Sequence, residues 1–372
     1  MPQVSTRSFA VRCVTALLAA LALAVGASAS RAQAALPPDF VGVVSDDIAA
    51  GDGNYRAPQL AQQQAIGIRL IRQTFDWKSI ETAPGVYNWA YYDDYVEALA
   101  EHGIEVLPVL FDPPKFRSGA PKKHPQRGTY FPKKFSDLGV FGAAVVARYG
   151  VNGTFWASKP SVPKVPVVAV QVWNEPNLKV YDPNGPSAKK YARLLKASYG
   201  PIKAADPSIE VATAGLPDSR LSRPNVYKYI DQLYRAGGAS GFDTLAINPY
   251  ATTAKQLISK LVKVRKIMRR HHDSASKLWV TELGWSDKGP RSDFRVGAAG
   301  QASRIKSAIP ALAKNQAKLN LRGFVYYSWR DGRPYAPRFL DFWGLHTGLL
   351  RIDGSPKPAY TAFQQALAGL PH

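Results

Sequence analysis

The stretch VPVVAVQVW, residues 165–173, decides the fold class, and it is followed directly by NEPN, residues 174–177. Its length and its valine content are typical of a strand that is buried on both faces, as in the interior of a parallel sheet. A carboxylate at the end of such a strand, here Glu175, is either a solvated turn residue or a side chain held in place for chemistry. A rival interpretation makes Asn174 the N-cap of a helix and Pro176 a residue of its first turn.

Apolar runs of this kind alternate with helix-period segments from Phe40 onward, and this alternation predicts repeated βα units around a parallel sheet. Eight such strands close a (β/α)8 barrel. A doubly wound open sheet is the rival, but the first strand is followed by SDDIAAGDG, which lacks the G-x-G-x-x-G turn. The predicted strands are FVGVV (40–44), IRLIRQT (68–74), IEVLPVL (104–110), VVAVQVW (167–173), IEVATAG (209–215), FDTLAIN (242–248), LWVTELG (278–284) and GFVYYSW (323–329).

The first 34 residues have the layout of a secretory signal peptide. Arg7 and Arg12 precede the apolar run 14–25, and small residues then lead to RAQA at 31–34. An uncleaved anchor is the alternative, but the apolar run is short for a membrane span. We therefore predict a secreted or cell-wall-associated protein without stable membrane insertion. Residues 35–39 would form a short lead-in, and residues 40–372 would form a single barrel domain.

The chain is strongly basic, with a formal net charge of +21 that falls to +18 when the three arginines of the leader are removed. Such a charge favours acidic partners, but no nucleic-acid-binding signature accompanies it. Basic residues concentrate on an amphipathic segment at 255–270, which we interpret as a solvated helix face. They also fill the acid-free loop 115–134 after the third strand. That loop either binds an acidic glycan or is an exposed, solvated loop.

The carboxyl ends of parallel barrel strands line one mouth, so the polar residues at those ends are candidates for a shared site. Two glutamates, Glu175 after the fourth strand and Glu282 in the seventh, would enter this mouth together. Such a pair can cleave a glycosidic bond, one carboxyl being protonated and the other ionised, at a separation of roughly 5–5.5 Å for retention. The other candidates are Arg72, Asn174 and Tyr250, the aromatic Trp329, and the acids Asp46, Asp47 and Asp331.

Their residue types suggest roles, each with a structural alternative. Arg72 and Tyr250 would favour the charged form of Glu282, whereas apolar neighbours such as Trp173 would keep Glu175 protonated. Asn174 could donate to a sugar hydroxyl and Trp329 could stack on a sugar ring, or Trp329 could be a core aromatic. Strict alternation sends Asn174 and Glu175 to opposite faces, so an irregularity such as a bulge is expected at this strand end. The three aspartates are either ligands of sugar hydroxyls or ordinary loop acids.

The motifs WNEPN, TELGW, INPY and YYSW, together with IRLIRQTFDWKSIETAPGVYNW at 68–89, resemble clan A glycoside hydrolases. The segment at 68–89 and LPVLFDPP are most similar to family 39 and to the cellulase-like family 5. The resemblance covers residues 40–365. It implies a retaining mechanism with Glu175 as the acid/base and Glu282 as the nucleophile, and substrate contacts by Asn174 and Trp329. It also implies that Arg72 and Tyr250 support the nucleophile. Asn248 stands where family 39-like members often carry histidine, which we associate with substrate preference.

Other functions remain open at this stage. A non-catalytic barrel could bind wall polymer through its basic surface, and a transglycosylase would use the same covalent intermediate. The six histidines show no metal-ligand spacing, so we predict neither a metal nor an organic cofactor. The expected partner is a β-linked glycan, and nothing in the sequence indicates an oligomeric state.

Overall fold

The computed structural model describes residues 35–122, 128–334 and 341–371. The predicted signal peptide, residues 1–34, lies outside the described residues. Residues from Leu36 to Leu370 belong to one compact unit. Within the predicted lead-in, Leu36 packs into the main core and Asp39 pairs with Arg322. Among the described residues, no helix is both long and apolar enough to cross a membrane.

Eight parallel strands form a closed barrel, as the sequence predicts. In chain order each strand pairs with the next, the last pairs with the first, and all pairings are parallel. The strands are β1 (Val41–Val44), β2 (Leu70–Asp76), β3 (Glu105–Phe111), β4 (Ala169–Val172), β5 (Glu210–Thr213), β6 (Thr244–Asn248), β7 (Lys277–Leu283) and β8 (Leu321–Tyr326). A short strand at Leu216–Pro217 also pairs with β6, and a hairpin joins Glu81–Ala83 to Val86–Tyr87.

Helices connect the strands and cover the outside of the barrel. Several begin at side chains that cap the first turn, such as Ser187, Asn225 and Thr253. The helices are α1 (Asp46–Ala50), α2 (Gly53–Ala65), α3 (Trp77–Ile80), α4 (Ala90–Glu101), α5 (Ser136–Tyr149), α6 (Thr154–Ser158), α7 (Ala188–Ala205), α8 (Val226–Arg235), α9 (Ala254–Arg270), α10 (Gly297–Lys314), α11 (Gln316–Leu319) and α12 (Pro358–Ala368), with 3-10 turns at Gly238–Gly241 and Trp343–His346.

The barrel is a filled core rather than a pore. Each strand contributes one residue to a small buried cluster that is separate from the larger core between strands and helices. Alanines on β4, β5 and β6 leave room for the indole of Trp279 on β7, so the summed volumes fill the interior. The members are Val44, Leu70, Leu107, Ala169, Ala212, Ala246, Trp279 and Val325. This apolar layer supports the polar residues that lie nearer the carboxyl ends of the strands.

Candidate active site

A cleft of about 1070 Å³ opens at the carboxyl ends of the strands, and both Glu175 and Glu282 line it. Its walls come from the segments that follow β4, β5, β6, β7 and β8. The barrel therefore brings together two carboxyl groups that are more than a hundred residues apart in the chain. This is the arrangement that the sequence predicts for the pair.

Glu282 is held by two donors, one on each carboxylate oxygen. Arg72 donates from Nη1 to Oε1 at 2.8 Å, and the Tyr250 hydroxyl donates to Oε2 at 2.9 Å. Glu282 is only 9% exposed, so these contacts stabilise its charge where water has little access. They also fix the orientation of the carboxylate toward the cleft.

Arg72 connects Glu282 to the end of β4. Its Nε donates to Gln171 Oε1 at 2.6 Å, and its Nη2 donates to Asn174 Oδ1 at 2.9 Å. All three nitrogens of one planar guanidinium thus donate hydrogen bonds at once, in a geometry that the single ammonium of lysine cannot reproduce. Because the amide oxygen of Asn174 is occupied by Arg72, its amide nitrogen is the end that can donate to another group.

Glu175 lies in an irregular segment directly after β4. Trp173 and Glu175 have positive φ angles of 76° and 44°, a conformation that non-glycine residues rarely adopt. The predicted irregularity therefore exists, but it consists of left-handed residues after the strand has ended at Val172. This backbone course overrides the strict alternation that would separate Asn174 from Glu175. The alternative interpretation, in which Asn174 is the N-cap of a helix, is wrong, because turns and no helix follow Asn174.

The surroundings of Glu175 favour its protonated form. Burial raises its pKa to about 8, and the negative charge of Glu282 contributes in the same direction. Trp173, two residues before Glu175, is fully buried and in edge contact with Phe111 and Phe131. The direction of this pKa shift agrees with the expectation that Glu175 is the protonated member of the pair.

Asn248 contacts Glu175 directly. Its Nδ2 donates to Glu175 Oε1 at 2.9 Å, while its Oδ1 accepts from the Thr281 hydroxyl at 2.9 Å. A Cβ at Gly215 would lie 2.2 Å from Asn248 Oδ1, so glycine is needed there for this close approach. The sequence connected Asn248 with substrate preference. Its contact instead connects it with the protonation of Glu175, because a donor to the carboxylate lowers the pKa.

The prediction that Trp329 offers a face to a sugar ring is wrong. Trp329 has no solvent exposure, its indole nitrogen donates to Gln59 Oε1 at 3.0 Å, and its ring packs on Tyr360. The strand ends at Tyr326, so alternation does not continue to position 329. Tyr327, which sequence reasoning missed, lines the cleft instead. The aromatic run YYSW was the only signal for it.

Asp331 and Asp47 serve the structure rather than the cleft. Asp331 is buried and accepts from Lys357 Nζ at 2.7 Å and from the Gly348 amide at 2.9 Å, so its assignment as a sugar ligand is wrong. Asp47 is half-buried, accepts from Tyr55 at 2.6 Å and from Ser45 at 3.1 Å, and does not line the cleft.

Asp46 differs from these two acids, because its charge acts on Arg72 and Glu282. Part of its surface is open to solvent. Nearby protein atoms nevertheless desolvate the carboxyl and raise its pKa to about 6, while the Arg72 charge opposes this shift.

The basic loop lies apart from the cleft in the portions that the structure describes. None of the residues 115–122 and 128–134 lines the cleft. Arg117 is neutralised by Glu81 at 2.7 Å and by Asp137 at 3.2 Å, while Lys115, Lys122, Lys133 and Lys134 are exposed. Lys123 and Arg127 lie outside the described residues. Across the described part of the chain, no three histidine, cysteine, aspartate or glutamate side chains are grouped so that they could hold a metal ion.

Solved structures with this fold include several family 39 glycoside hydrolases. A family 39 β-xylosidase from Caulobacter crescentus is 21% identical with a TM-score of 0.65, over 91% of this chain and 73% of that one. The family 39 enzyme from Xanthomonas axonopodis pv. citri is 19% identical with a TM-score of 0.66, over 89% and 66%. A family 39 glycoside hydrolase from Bacteroides cellulosilyticus WH2 is 20% identical with a TM-score of 0.63, over 90% and 64%.

The chain has the fold of family 39 glycoside hydrolases. The resemblance predicted from the sequence motifs is therefore confirmed at the level of architecture. The chain spans about two thirds of the length of these structures. No protein-family model matches the chain, and no curated protein does.

Proposed function

We propose that the protein is a retaining β-glycoside hydrolase, with Glu175 as the acid/base and Glu282 as the nucleophile. The observation that carries this proposal is the different surroundings of two carboxyls in one cleft. Burial raises the pKa of Glu175 to about 8, whereas Arg72 and Tyr250 donate to both oxygens of Glu282. Two identical side chains can thereby take opposite roles at neutral pH.

In the first step, Glu175 gives its proton to the glycosidic oxygen as the bond from that oxygen to the anomeric carbon breaks. A Glu282 oxygen attacks the anomeric carbon and forms a covalent glycosyl ester. The amide nitrogen of Asn174 is suited to donate to the neighbouring sugar hydroxyl, a contact that strengthens as positive charge develops on the ring. Tyr327 lines the cleft and supplies an aromatic surface there.

In the second step, ionised Glu175 takes a proton from water, and the resulting hydroxide attacks the anomeric carbon. The ester bond to Glu282 breaks, and both carboxyls return to their starting states. Two inversions at one carbon give net retention of configuration. A sugar hydroxyl in place of water would give transglycosylation through the same intermediate.

The substrate is proposed to be a β-linked oligosaccharide or polysaccharide outside the cell. The solved structures that share the fold include a β-xylosidase, an exo-β-1,4-mannosidase and a β-galactosidase. Secretion rests on the signal-peptide pattern of residues 1–34 alone.

Digestion of a β-glycan panel by the wild type and by Glu282→Gln tests the proposal, with product anomers followed by NMR. We expect the wild type to release products of retained configuration, and the variant to lose about 10⁴-fold or more in turnover while still binding glycan. Glu101→Gln is the matched control, because Glu101 is an exposed glutamate at the end of α4. An inverted first product, or a wild type inactive on the whole panel, would contradict the proposal.

A further inference from the structure

One wall of the cleft carries exposed arginines that the proposed chemistry does not use. This arginine wall consists of Arg220, Arg223 and Arg291, on the segments that follow β5 and β7. All three are exposed and line the same cleft as Glu175 and Glu282. The wall lies in the cleft itself, unlike the described portions of the basic loop 115–134.

Two of the three arginines have no carboxylate partner among the described residues. Arg220 pairs with Asp293 at 3.1 Å, and the nearby Lys260 pairs with Asp218 at 2.8 Å. Arg223 donates only to backbone oxygens, those of Arg220 at 2.7 Å and Ser222 at 3.0 Å. Within the described chain, Arg291 forms no ion pair or hydrogen bond. Arg223 and Arg291 therefore leave positive charge in the cleft uncompensated.

The wall adjoins the acid/base segment. Asn177, two residues after Glu175, is fully buried and donates to the Pro217 oxygen and to Ser222 Oγ, both at 3.0 Å. These bonds fasten the segment bearing Arg220 and Arg223 to the segment bearing Glu175. Because a general acid lies beside the oxygen that departs, the segment bearing Arg220 and Arg223 belongs to the side of the leaving group. The ion pair between Arg220 and Asp293 connects this segment to the one that bears Arg291.

Aromatic rings line the same cleft as the arginines and suit a sugar ring. Trp343 packs against Phe294 at 4.7 Å and against Tyr250 at 5.1 Å between ring centroids, and both Trp343 and Phe294 line the cleft. Their partly exposed faces can stack on a pyranose, while a guanidinium fork matches the two oxygens of a carboxylate. Rings and cations together describe a subsite for an acidic sugar.

We propose that the leaving-group side of the cleft binds a uronate unit of the substrate through Arg223 and Arg291. The inference rests on the proposed function, since it names the class of glycan that this site cleaves. The uronate would lie beyond the scissile bond, with its carboxylate between the two guanidinium groups and its ring against Trp343 and Phe294.

Binding to the inactive Glu282→Gln protein tests this inference separately from turnover. The probes are β-linked oligosaccharides of mannuronate and of glucuronate, each compared with its carboxyl-reduced, neutral counterpart by isothermal titration calorimetry at low and high salt. We expect at least one uronate glycan to bind about tenfold tighter than its neutral counterpart at low salt, and the preference to shrink at high salt.

In the same protein, Arg223→Gln with Arg291→Gln should abolish the preference, and Arg291→Gln alone should reduce it. The matched control is Arg193→Gln with Arg269→Gln, which removes two exposed arginines on helices outside the cleft and should leave the preference intact. Thermal unfolding checks that every variant is folded. Equal affinity for charged and neutral glycans, binding of neither, or equal effects of the two double variants would overturn the inference.

The two proposals can fail independently. Cleavage of neutral β-glycosides by the wild type, without any preference for uronates, would support the hydrolase activity and contradict the uronate subsite. Arginine-dependent binding of uronates by a protein that cleaves no glycan would support the uronate subsite and contradict the hydrolase activity.

Discussion

The side-chain amide of Asn248 donates a hydrogen bond to Glu175, with 2.9 Å between Nδ2 and Oε1. This hydrogen bond opposes the effect of burial on the pKa of Glu175. Burial and the charge of Glu282 raise the pKa of Glu175, whereas the amide of Asn248 lowers it. The balance brings the pKa to about 8, high enough for a proton donor at neutral pH.

We predict that kcat/KM falls on the alkaline side with an apparent pKa near 8, because Glu175 must be protonated to act as the acid. A pH profile on a β-glycan with a poor leaving group measures this. In the Glu175→Ala variant the alkaline limb should disappear. On an aryl glycoside with a good leaving group, which departs without a general acid, azide should restore turnover of this variant as a substitute nucleophile in the second step. An unchanged alkaline limb in that variant would assign it to another group.

The raised pKa of Glu175 makes the stability of the folded protein depend on pH. Between pH 4.5 and about 8, folded Glu175 keeps a proton that the unfolded chain loses, so its contribution to the free energy of unfolding decreases as pH rises. Glu175→Gln removes this decrease. We therefore expect the melting temperature of the variant, relative to wild type, to increase from pH 5 to pH 8 and then to level off. A constant difference across this range would contradict the raised pKa.

Asn248→Ala should move the alkaline limb to higher pH by about one unit, because it removes a hydrogen bond that favours the charged form of Glu175. The measurement is the pH dependence of kcat/KM. Asn315→Ala is the control, since its amide donates to the Ala311 oxygen at the end of a helix and Asn315 does not line the cleft. A limb that stays in place or moves to lower pH would show that Asn248 does not act on Glu175.

Arg72→Lys should lower kcat/KM by about 10²-fold, because an ammonium cannot contact Gln171, Glu282 and Asn174 together. Steady-state kinetics provides the measurement. The conservative control is Arg235→Lys. The Arg235 side chain is exposed, and Asp231, its partner, also pairs with Arg270 and His271, so this change should alter neither kinetics nor stability by more than about 0.5 kcal/mol. Wild-type kinetics in Arg72→Lys would mean that positive charge alone suffices.

Substitution of Trp329 should affect stability, whereas substitution of Tyr327 should affect substrate binding. Trp329→Phe removes a buried indole and its bond to Gln59, so we expect a loss of roughly 1–2 kcal/mol in the free energy of unfolding with KM unchanged. Tyr327→Ala alters the cleft lining and should raise KM several-fold. Denaturant unfolding and steady-state kinetics on both variants measure these effects. A higher KM in Trp329→Phe with KM unchanged in Tyr327→Ala would show that Trp329, and not Tyr327, stacks on the sugar.

Residues 165–177 illustrate how much of the site was predictable. The valine-rich run indicated β4, and the positions of Glu175 and Glu282 at strand ends followed from the barrel rule. The contacts of Arg72 and Tyr250 with Glu282 agree with the sequence-based expectation. Parallel strands align their carboxyl ends whatever the intervening loops, so strand order alone brought these residues to one mouth.

The residues that sequence reasoning assigned wrongly lie in segments that follow the end of a strand. Trp329 and Asp331 follow β8 only a few residues after Tyr327, yet one lies in the core and the other pairs with the buried Lys357. The arginine wall was missed for the same reason, since Arg223 and Arg291 lie in segments without periodicity. Their positions depend on contacts such as those of Asn177 with Pro217 and Ser222.

By itself the sequence determined the eight strands, their order and the two carboxyls at the mouth, because these follow from local periodicity and from the geometry of parallel sheets. Only the tertiary structure decided which aromatic ring faces the cleft, which aspartates are neutralised, and which arginines remain unpaired. Those outcomes are set by side chains that meet from distant parts of the chain, and no local pattern records such meetings.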